Sequence, residues 1–170
     1  LRSTLAPGAD AEVEEELPAF LDPSKPATLR LHNIRAYEVP DADDKHGSGS
    51  SDPFIRFTLL TAAGGGPLMV EEEPASTQTD FIEDQRNPKW PDKLHLALPA
   101  GTARPPVLRV ELWDMDFTNE SDPIGKGEVT LPADDSELIK IKLSGCPGPS
   151  GAPLPSCLAS FRYVVEPEKT

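Results

Sequence analysis

Three aspartates crowd the end of one apolar stretch of the chain. Leu108, Val110 and Leu112 alternate with other residues in the period-two pattern of a half-buried strand. Directly after this stretch come the oxygen-bearing side chains of Asp114, Asp116, Asn119 and Asp122. Like charges about 4 Å apart repel by roughly 1 kcal/mol in water, and by several times more near a partly buried site. The pattern therefore predicts a bound cation, and Ca²⁺ is the natural candidate because it takes oxygen ligands in flexible geometry.

A second acidic segment precedes another apolar strand. Residues 41–53 read DADDKHGSGSSDP and lead into residues 54–60, which have the composition of a strand. Acidic loops are usually only soluble turns, so one cluster alone is weak evidence for a metal site. If both loops leave the same end of a β-sandwich, their carboxylates converge. Two such clusters in the same strand context favour a shared calcium site over merely acidic loops.

Composition narrows the class of protein. The chain has 170 residues and a net charge of −13, which argues against nucleic acid as a partner. Its 20 prolines and 12 glycines suit a loop-rich all-β domain. No apolar run approaches the ~20 residues of a membrane-spanning helix, and no signal peptide is recognisable. Cys146 and Cys157 bracket a Pro/Gly loop, and we expect free thiols there, as in an intracellular protein.

Eight short strands are predicted, separated by turn residues and without helical periodicity. They cover residues 29–36, 54–60, 77–81, 94–98, 108–113, 127–131, 138–143 and 158–165. The first strand changes phase between Leu31 and Ile34, which predicts a β-bulge. The pattern predicts an all-β fold, an eight-stranded antiparallel β-sandwich. We expect the domain to span residues 28–166, between an acidic, Pro-containing tail (1–27) and a short C-terminal tail (167–170).

Four motifs of the chain occur together in one protein family. They are Leu29-x-Leu31-xx-Ile34-x-Ala36-xx-Val39-Pro40, Ser51-Asp52-Pro53-Phe54-Ile55, Asn87-Pro88-Lys89-Trp90 and Asp114-x-Asp116-xxxxx-Asp122-Pro-Ile-Gly125. In this order and spacing the chain resembles a C2 domain, the calcium-dependent phospholipid-binding β-sandwich, over roughly residues 28–166. The motifs are specific jointly, whereas SDPF or NPKW alone would not be. The strand order resembles the permuted form of the fold, often called type II, since LASFRYVV supplies a strand at the C-terminus.

The resemblance assigns calcium ligands position by position: Asp52, Asp114, Asp116 and Asp122. Asn119 stands where the family often has a further oxygen ligand. The first loop departs from the family pattern, because His46 occupies the position that usually carries an Asp about six residues before the SDP aspartate. Asp44 is therefore our choice of first-loop ligand, with Asp43 or Asp41 as alternatives. The site is expected to hold two Ca²⁺ ions, within a range of one to three.

The resemblance also implies how the domain meets a membrane. Without metal the loop end is negative and avoids anionic lipid, whereas two Ca²⁺ ions would add four positive charges there. Lipid phosphates then complete the coordination of the metal, so calcium affinity and membrane affinity rise together. The loop residues expected to touch the membrane are Met115, Phe117, Thr118 and His46. We therefore expect a non-catalytic, cytoplasmic module that attaches reversibly to anionic phospholipid membranes when calcium is present.

Many C2 domains carry a lysine-rich strand that binds phosphoinositides. The corresponding region of this chain, residues 71–84, reads EEEPASTQTDFIED and is acidic. The sequence therefore argues against a polybasic phosphoinositide site in that strand.

Other interpretations of the aspartates fit less well. An EF-hand would need Gly where Asn119 stands and a bidentate Glu where Gly125 stands. A carboxylate-pair hydrolase needs one carboxyl kept neutral, which a cluster of aspartates does not indicate. The domain is thus expected to lack catalysis, although it is compatible with a targeting role in a larger enzyme. The open alternative is a protein-interaction or scaffold domain, binding with or without calcium through the acidic tail or the Pro-rich 146–156 loop.

Overall fold

The computed structural model describes residues 18, 20–40, 51–116, 120–133 and 137–168. These residues form strands, turns and loops and contain no helix. The all-β class that the apolar alternation predicts is therefore confirmed.

Eleven strands follow one another along the described chain. They are β1 (Ala27–Tyr37), β2 (Pro53–Leu59), β3 (Met69–Val70), β4 (Glu73–Pro74), β5 (Ser76–Gln78), β6 (Lys89–Trp90), β7 (Leu94–Leu98), β8 (Val107–Asp114), β9 (Asp122–Thr130), β10 (Ile139–Gly145) and β11 (Cys157–Pro167). Eight of them correspond to the predicted strands. The other three, β3, β4 and β6, have two residues each, and a segment of that length shows no periodicity.

Nine strands pair antiparallel in one sheet, eight of them along a single path, and the sheet folds back into two layers. The first layer has the order β5–β2–β8–β9, and the second has the order β10–β11–β1, with β6 and β7 both pairing with β1. The layers are joined where β9 meets β10, through the pairs Gly125↔Gly145 and Lys126↔Ser144. A Cβ on Gly127 would lie 2.8 Å from the carbonyl oxygen of Lys142, so this close approach requires glycine. β3 and β4 form a separate hairpin.

The hydrophobic core lies between the two layers. The inward residues of β8, Leu108, Val110 and Leu112, are completely buried. The rings of Phe57 and Phe161, from opposite layers, meet edge-on with centroids 5.2 Å apart, a geometry that aromatic pairs prefer. Trp90, from the Asn-Pro-Lys-Trp turn, is also buried and belongs to the same core.

The bulge predicted in the first strand is present. The pairing of β1 with β11 shifts register between Ser160 and Arg162. On the β1 side Asn33 has a left-handed backbone, with a φ of 57°, which Asn tolerates better than most residues. The shift returns Ile34 to the buried side after Leu31, so both apolar residues reach the core.

The first and last strands of the described chain are neighbours. β11 pairs with β1 from Leu158↔Tyr37 to Pro167↔Ala27, which places the C-terminal strand beside the first one. This neighbourhood agrees with the permuted strand order, which stays a prediction.

The segment before β1 packs against the sandwich. Phe20 is buried, and its ring centroid lies 6.0 Å from that of Tyr163. The Arg104 guanidinium donates hydrogen bonds to the carbonyl oxygens of Asp22, at 3.1 Å, and Lys25, at 2.8 Å. One aromatic anchor and a few backbone carbonyls leave no periodic signal in a sequence. The limits 28–166 stay a prediction, and these contacts favour moving the N-terminal limit to about Pro18.

Candidate metal centre

Strands of the first layer end together at the acidic residues. β8 lies between β2 and β9, and its register places Asp114 opposite Pro53 on one side and opposite Asp122 on the other. Asp52 directly precedes Pro53, so three aspartates lie at or beside the ends of three neighbouring strands. The sequence predicts a strand only from Gly127, but β9 begins at Asp122. Its first residues lack apolar alternation and are held in the strand by pairing with the end of β8.

Asp52 and Asp114 are in direct contact. The backbone N–H of Asp52 donates a hydrogen bond to Oδ1 of Asp114 at 2.8 Å. The N–H of Met115 donates to the carbonyl oxygen of Asp52 at 2.9 Å. Asp114 is 4% exposed, so its carboxylate is held nearly out of solvent. These two bonds attach the end of the first acidic loop to the end of β8.

A buried carboxylate opposite a second carboxylate is electrostatically unfavourable. Asp114 and Asp122 occupy directly opposed positions of an antiparallel pair, where Cβ atoms lie roughly 4.5–5.5 Å apart. At such distances two like charges repel by about 1 kcal/mol in water, and by more where solvent is excluded. A divalent cation between the two carboxylates would attract both of them and outweigh their mutual repulsion.

The loop between β5 and β6 supports the same end of the sandwich. The N–H of Asp84 donates to Oδ1 of Asp52 at 2.9 Å, and Asp84 adopts a left-handed backbone with a φ of 51°. The Ser51 hydroxyl donates to the carbonyl oxygen of Pro40 at 2.9 Å. Asn87, from the Asn-Pro-Lys-Trp motif, accepts the N–H of Glu38 at 2.9 Å. The sequence analysis did not single out Asp84, because its contribution is a backbone donor that any residue type supplies.

An aromatic–cation cluster lies on the outer face of the same strands. The rings of Phe54 and Trp113 are stacked, with centroids 6.4 Å apart. The Arg56 guanidinium lies 5.0 Å from the Trp113 centroid and 5.9 Å from that of Phe54, within the range of a cation–π interaction. Trp113 directly precedes Asp114, so this cluster packs beside the end of β8 that carries the carboxylate.

The structure describes five of the predicted site residues: Asp52, Asp114, Met115, Asp116 and Asp122. Met115 is half-buried, and its sulfur accepts a hydrogen bond from the Ser121 hydroxyl at 3.7 Å. The predicted ligands Asp43, Asp44 and Asn119, with the alternative Asp41, lie outside the described residues. The same holds for the predicted membrane contacts His46, Phe117 and Thr118.

The described part of the site fits calcium in the chemistry of its donors. Its side-chain donors are carboxylate oxygens, which Ca²⁺ prefers over nitrogen or sulfur ligands. Asp114 is buried and faces Asp122, an arrangement that a cation stabilises. Among the described residues, no group of three or more His, Cys, Asp or Glu side chains is gathered tightly enough to hold a metal by itself. An ion at this end would need further oxygen donors besides the described carboxylates.

In class, the protein is a two-layer antiparallel β-sandwich with aspartates in the loops at one end. The family model of the C2 domain matches residues 27–143. The chain belongs to the C2 domain family, whose members are non-catalytic modules. Within the described parts of the chain, no helix has the length and apolarity that crossing a membrane requires.

Known proteins resemble the chain in sequence and in structure. RasGAP-activating-like protein 1 of Mus musculus is 34% identical over 124 residues, which are 71% of this chain and 13% of that protein. A C2 domain of plant Extended Synaptotagmin 1 has a TM-score of 0.55 at 14% identity, covering 85% of this chain and 97% of that domain. Human GIVD cytosolic phospholipase A2 has a TM-score of 0.57 at 18% identity, covering 86% of this chain and 18% of that one. The two structural matches establish the fold alone.

Proposed function

We propose that this C2 domain binds calcium at its Asp-rich end and then docks reversibly onto anionic phospholipid membranes. The observation that carries the proposal is the register of β8, in which buried Asp114 lies opposite Asp122 and accepts the Asp52 N–H. Three aspartates thus lie at adjacent strand ends, where a bound cation would offset their mutual repulsion.

The calcium ligands in this proposal come from both acidic loops. The described ligands are Asp52, Asp114, Asp116 and Asp122. Asp44, with Asp43 as the alternative, and Asn119 would complete the set. Two ions are the expected number, within one to three. Bound calcium supplies positive charge and coordination positions open to lipid phosphate.

The protein residues control when the membrane is contacted. In a chain with a net charge of −13, the metal-free acidic end is repelled by anionic headgroups. Met115 is partly covered and bonded to Ser121, so its contact with lipid would be shallow. Phe117, Thr118 and His46 are the other proposed contacts. The proposed location is the cytoplasm, with peripheral attachment to membranes when calcium rises.

The similar proteins support a targeting role. The chain spans 13% of the mouse RasGAP-activating-like protein and matches 18% of the phospholipase chain. Domains of this fold therefore occur as parts of much larger proteins. We propose that this one brings a larger protein to the membrane.

Co-sedimentation tests the proposal. The protein is mixed with phosphatidylserine-containing liposomes in Ca²⁺ or in EGTA, and calcium binding is measured by calorimetry on the same sample. Pelleting in Ca²⁺ and not in EGTA is the expected result. Calcium binding without pelleting would instead indicate a calcium-regulated protein contact. If the protein neither binds calcium nor pellets with the liposomes, the proposal is contradicted and the interpretation as a scaffold domain remains.

A further inference from the structure

The outer face of the second layer carries a group of basic residues. One row across four strands pairs Lys140 with Ser160, Ser160 with Arg35 and Arg35 with Lys89. The neighbouring row pairs Lys142 with Leu158 and Leu158 with Tyr37. Side chains at directly opposed positions share one face of a sheet. We call the side chains of these two rows the basic face; they are Lys140, Ser160, Arg35, Lys89, Lys142, Leu158 and Tyr37.

The positive charges of the basic face lack acidic partners in the described structure. The ion pairs found among the described residues are Lys25–Asp22, Arg30–Glu166 and Arg109–Glu111, and none of them involves a basic-face residue. The whole chain has 29 acidic and 16 basic residues. An unneutralised cluster of four cations on so acidic a protein marks a surface complementary to a negatively charged partner.

Tyr37 lies near cations from two other positions of the basic face. Its hydroxyl lies 3.3 Å from the Ser160 hydroxyl. The hydrogen bond to Ser160, followed by the nearby charges of Arg35 and Lys140, holds the pKa of the Tyr37 phenol below its ordinary value. The phenol oxygen therefore lies in a positive potential produced by two different strands.

The basic face also exposes apolar surface at its centre. Leu158 is 47% exposed and Tyr37 is 36% exposed, and the two residues are direct cross-strand partners. Lys142 borders them on one side, and the row of Arg35 and Lys140 borders them below. Tyr and Arg beside an exposed aliphatic residue are typical of protein–protein interfaces.

The position of this surface favours a protein partner over a lipid bilayer. The acidic loops leave the ends of the strands, whereas the basic face lies along their sides. Tyr37 and Lys89 lie near the loop end, but the side chains of the basic face project sideways from the sheet. A domain that docks through its loop end, as proposed above, therefore keeps this face beside the membrane and not against it. Lys140 and Lys142 stand two residues apart on β10, and residues at this spacing lie roughly 6.5–7 Å apart, as do alternate side chains of an extended peptide.

We propose that the basic face binds an acidic segment of a partner protein. The carboxylates of that segment contact Arg35, Lys89, Lys140 and Lys142, and an apolar side chain packs on Leu158 and Tyr37. Binding is independent of calcium and weakens with salt, because exposed ion pairs are screened.

Fluorescence anisotropy in EGTA tests this proposal with a labelled peptide of glutamates flanking two leucines. The matched probe is the same peptide with Gln in place of Glu. We expect the wild-type domain to bind the Glu peptide and not the Gln peptide. Lys140→Glu should weaken binding at least about fivefold, and Lys140→Glu with Lys142→Glu at least about tenfold. Arg109→Glu makes the same charge change on β8 of the first layer, on the other side of the sandwich from the basic face, and it should change affinity less than about twofold.

Several results would overturn the proposal. The proposal fails if the wild type does not bind the Glu peptide, or if it binds the Gln peptide equally well. It also fails if the Lys140 and Arg109 variants lose affinity equally. Vesicles of phosphatidylcholine with phosphatidylserine and phosphatidylinositol bisphosphate are measured in parallel in EGTA. If the double variant loses vesicle binding but keeps peptide binding, the face belongs to a lipid surface. Urea unfolding midpoints equal to that of the wild type would show that the variants are folded, so that a loss of binding reports on the basic face.

Discussion

The backbone N–H of Asp52 donates a 2.8 Å hydrogen bond to the carboxylate of Asp114, 62 residues further along the chain. The same carboxylate lies directly opposite Asp122 on the next strand. Asp114 thus serves the fold as an acceptor and serves the proposed site as a negative charge. An amide keeps the acceptor and loses the charge, so substitution can separate the two roles.

Asp114→Ala and Asp114→Asn should differ in stability when calcium is absent. Asp114→Ala leaves the Asp52 N–H without its acceptor and should lower the free energy of unfolding by about 1–3 kcal/mol. Asp114→Asn retains an acceptor and removes repulsion with Asp122. Its free energy of unfolding should therefore be no more than about 0.5 kcal/mol below that of the wild type. Urea unfolding in EGTA, followed by tryptophan fluorescence, measures both. Equal losses in the two variants would show that the hydrogen bond is not what Asp114 contributes.

Calcium should raise the thermal stability of the domain. A ligand at about 100 times its Kd stabilises the folded state by about 2.7 kcal/mol, which for a domain of this size corresponds to roughly 5–10 °C in Tm. Scanning calorimetry in Ca²⁺ and in EGTA measures the shift, with Mg²⁺ at equal concentration as the control. Mg²⁺ demands stricter geometry and should produce a much smaller shift. The same Tm in all three solutions would exclude a calcium site in the isolated domain.

Phe20→Ala should destabilise the sandwich. Phe20 is buried against Tyr163 ahead of the first strand, and removal of a buried aromatic ring typically costs about 3–5 kcal/mol. Leu158→Ala, at a site that is 47% exposed, is the matched control and should cost less than about 1 kcal/mol. Urea unfolding compares the two. A Phe20 variant as stable as wild type would show that this segment adds no stability, as expected for the acidic tail (1–27) that the sequence analysis predicts.

Cys157 should give the folded state a specific dependence on pH. Burial, with Cys146 nearby, raises the pKa of the Cys157 thiol from its ordinary 9.0 to about 11. Between pH 9 and pH 11 the unfolded chain loses this proton more readily than the folded one, so stability should fall as pH rises through that window. Urea midpoints at about pH 8 and about pH 10 measure the fall, and Cys157→Ala should show a smaller one. If the urea midpoint falls equally in the wild type and in Cys157→Ala, the Cys157 thiol is not the cause of the pH dependence.

The sequence predicts the fold more fully than it predicts the site. Alternation of apolar residues is sufficient to find the eight main strands and the bulge near Asn33, because burial of one face imposes that period. It misses the early start of β9 at Asp122, which depends on pairing with Asp114 rather than on apolar residues. It also misses the Asp84 N–H and the Phe20 anchor, since a backbone donor and a single side chain have no period.

The charge of the surface also escapes prediction from the sequence. Lys140, Arg35 and Lys89 are widely separated in the chain and become neighbours only through the register of β10, β11, β1 and β6. A net charge of −13 gives no indication of that local cluster. By contrast, Asp52 and Asp122 each adjoin β8 as the sequence order leads one to expect, because Asp52 precedes β2 and Asp122 begins β9 and both strands pair with β8. Their joint role as calcium ligands stays a prediction.

A calcium titration by isothermal calorimetry tests the central claim most directly. Wild type, Asp116→Asn and Glu72→Gln are compared; Glu72 is exposed in the β3–β4 turn and makes the matched loss of one charge away from the acidic end. We predict that the wild type and Glu72→Gln bind calcium alike and that Asp116→Asn weakens binding at least about tenfold, the effect of removing one charged ligand. An Asp116→Asn titration that matches the wild type, or no heat of binding in any of the three, would contradict the assignment of this end as a calcium site.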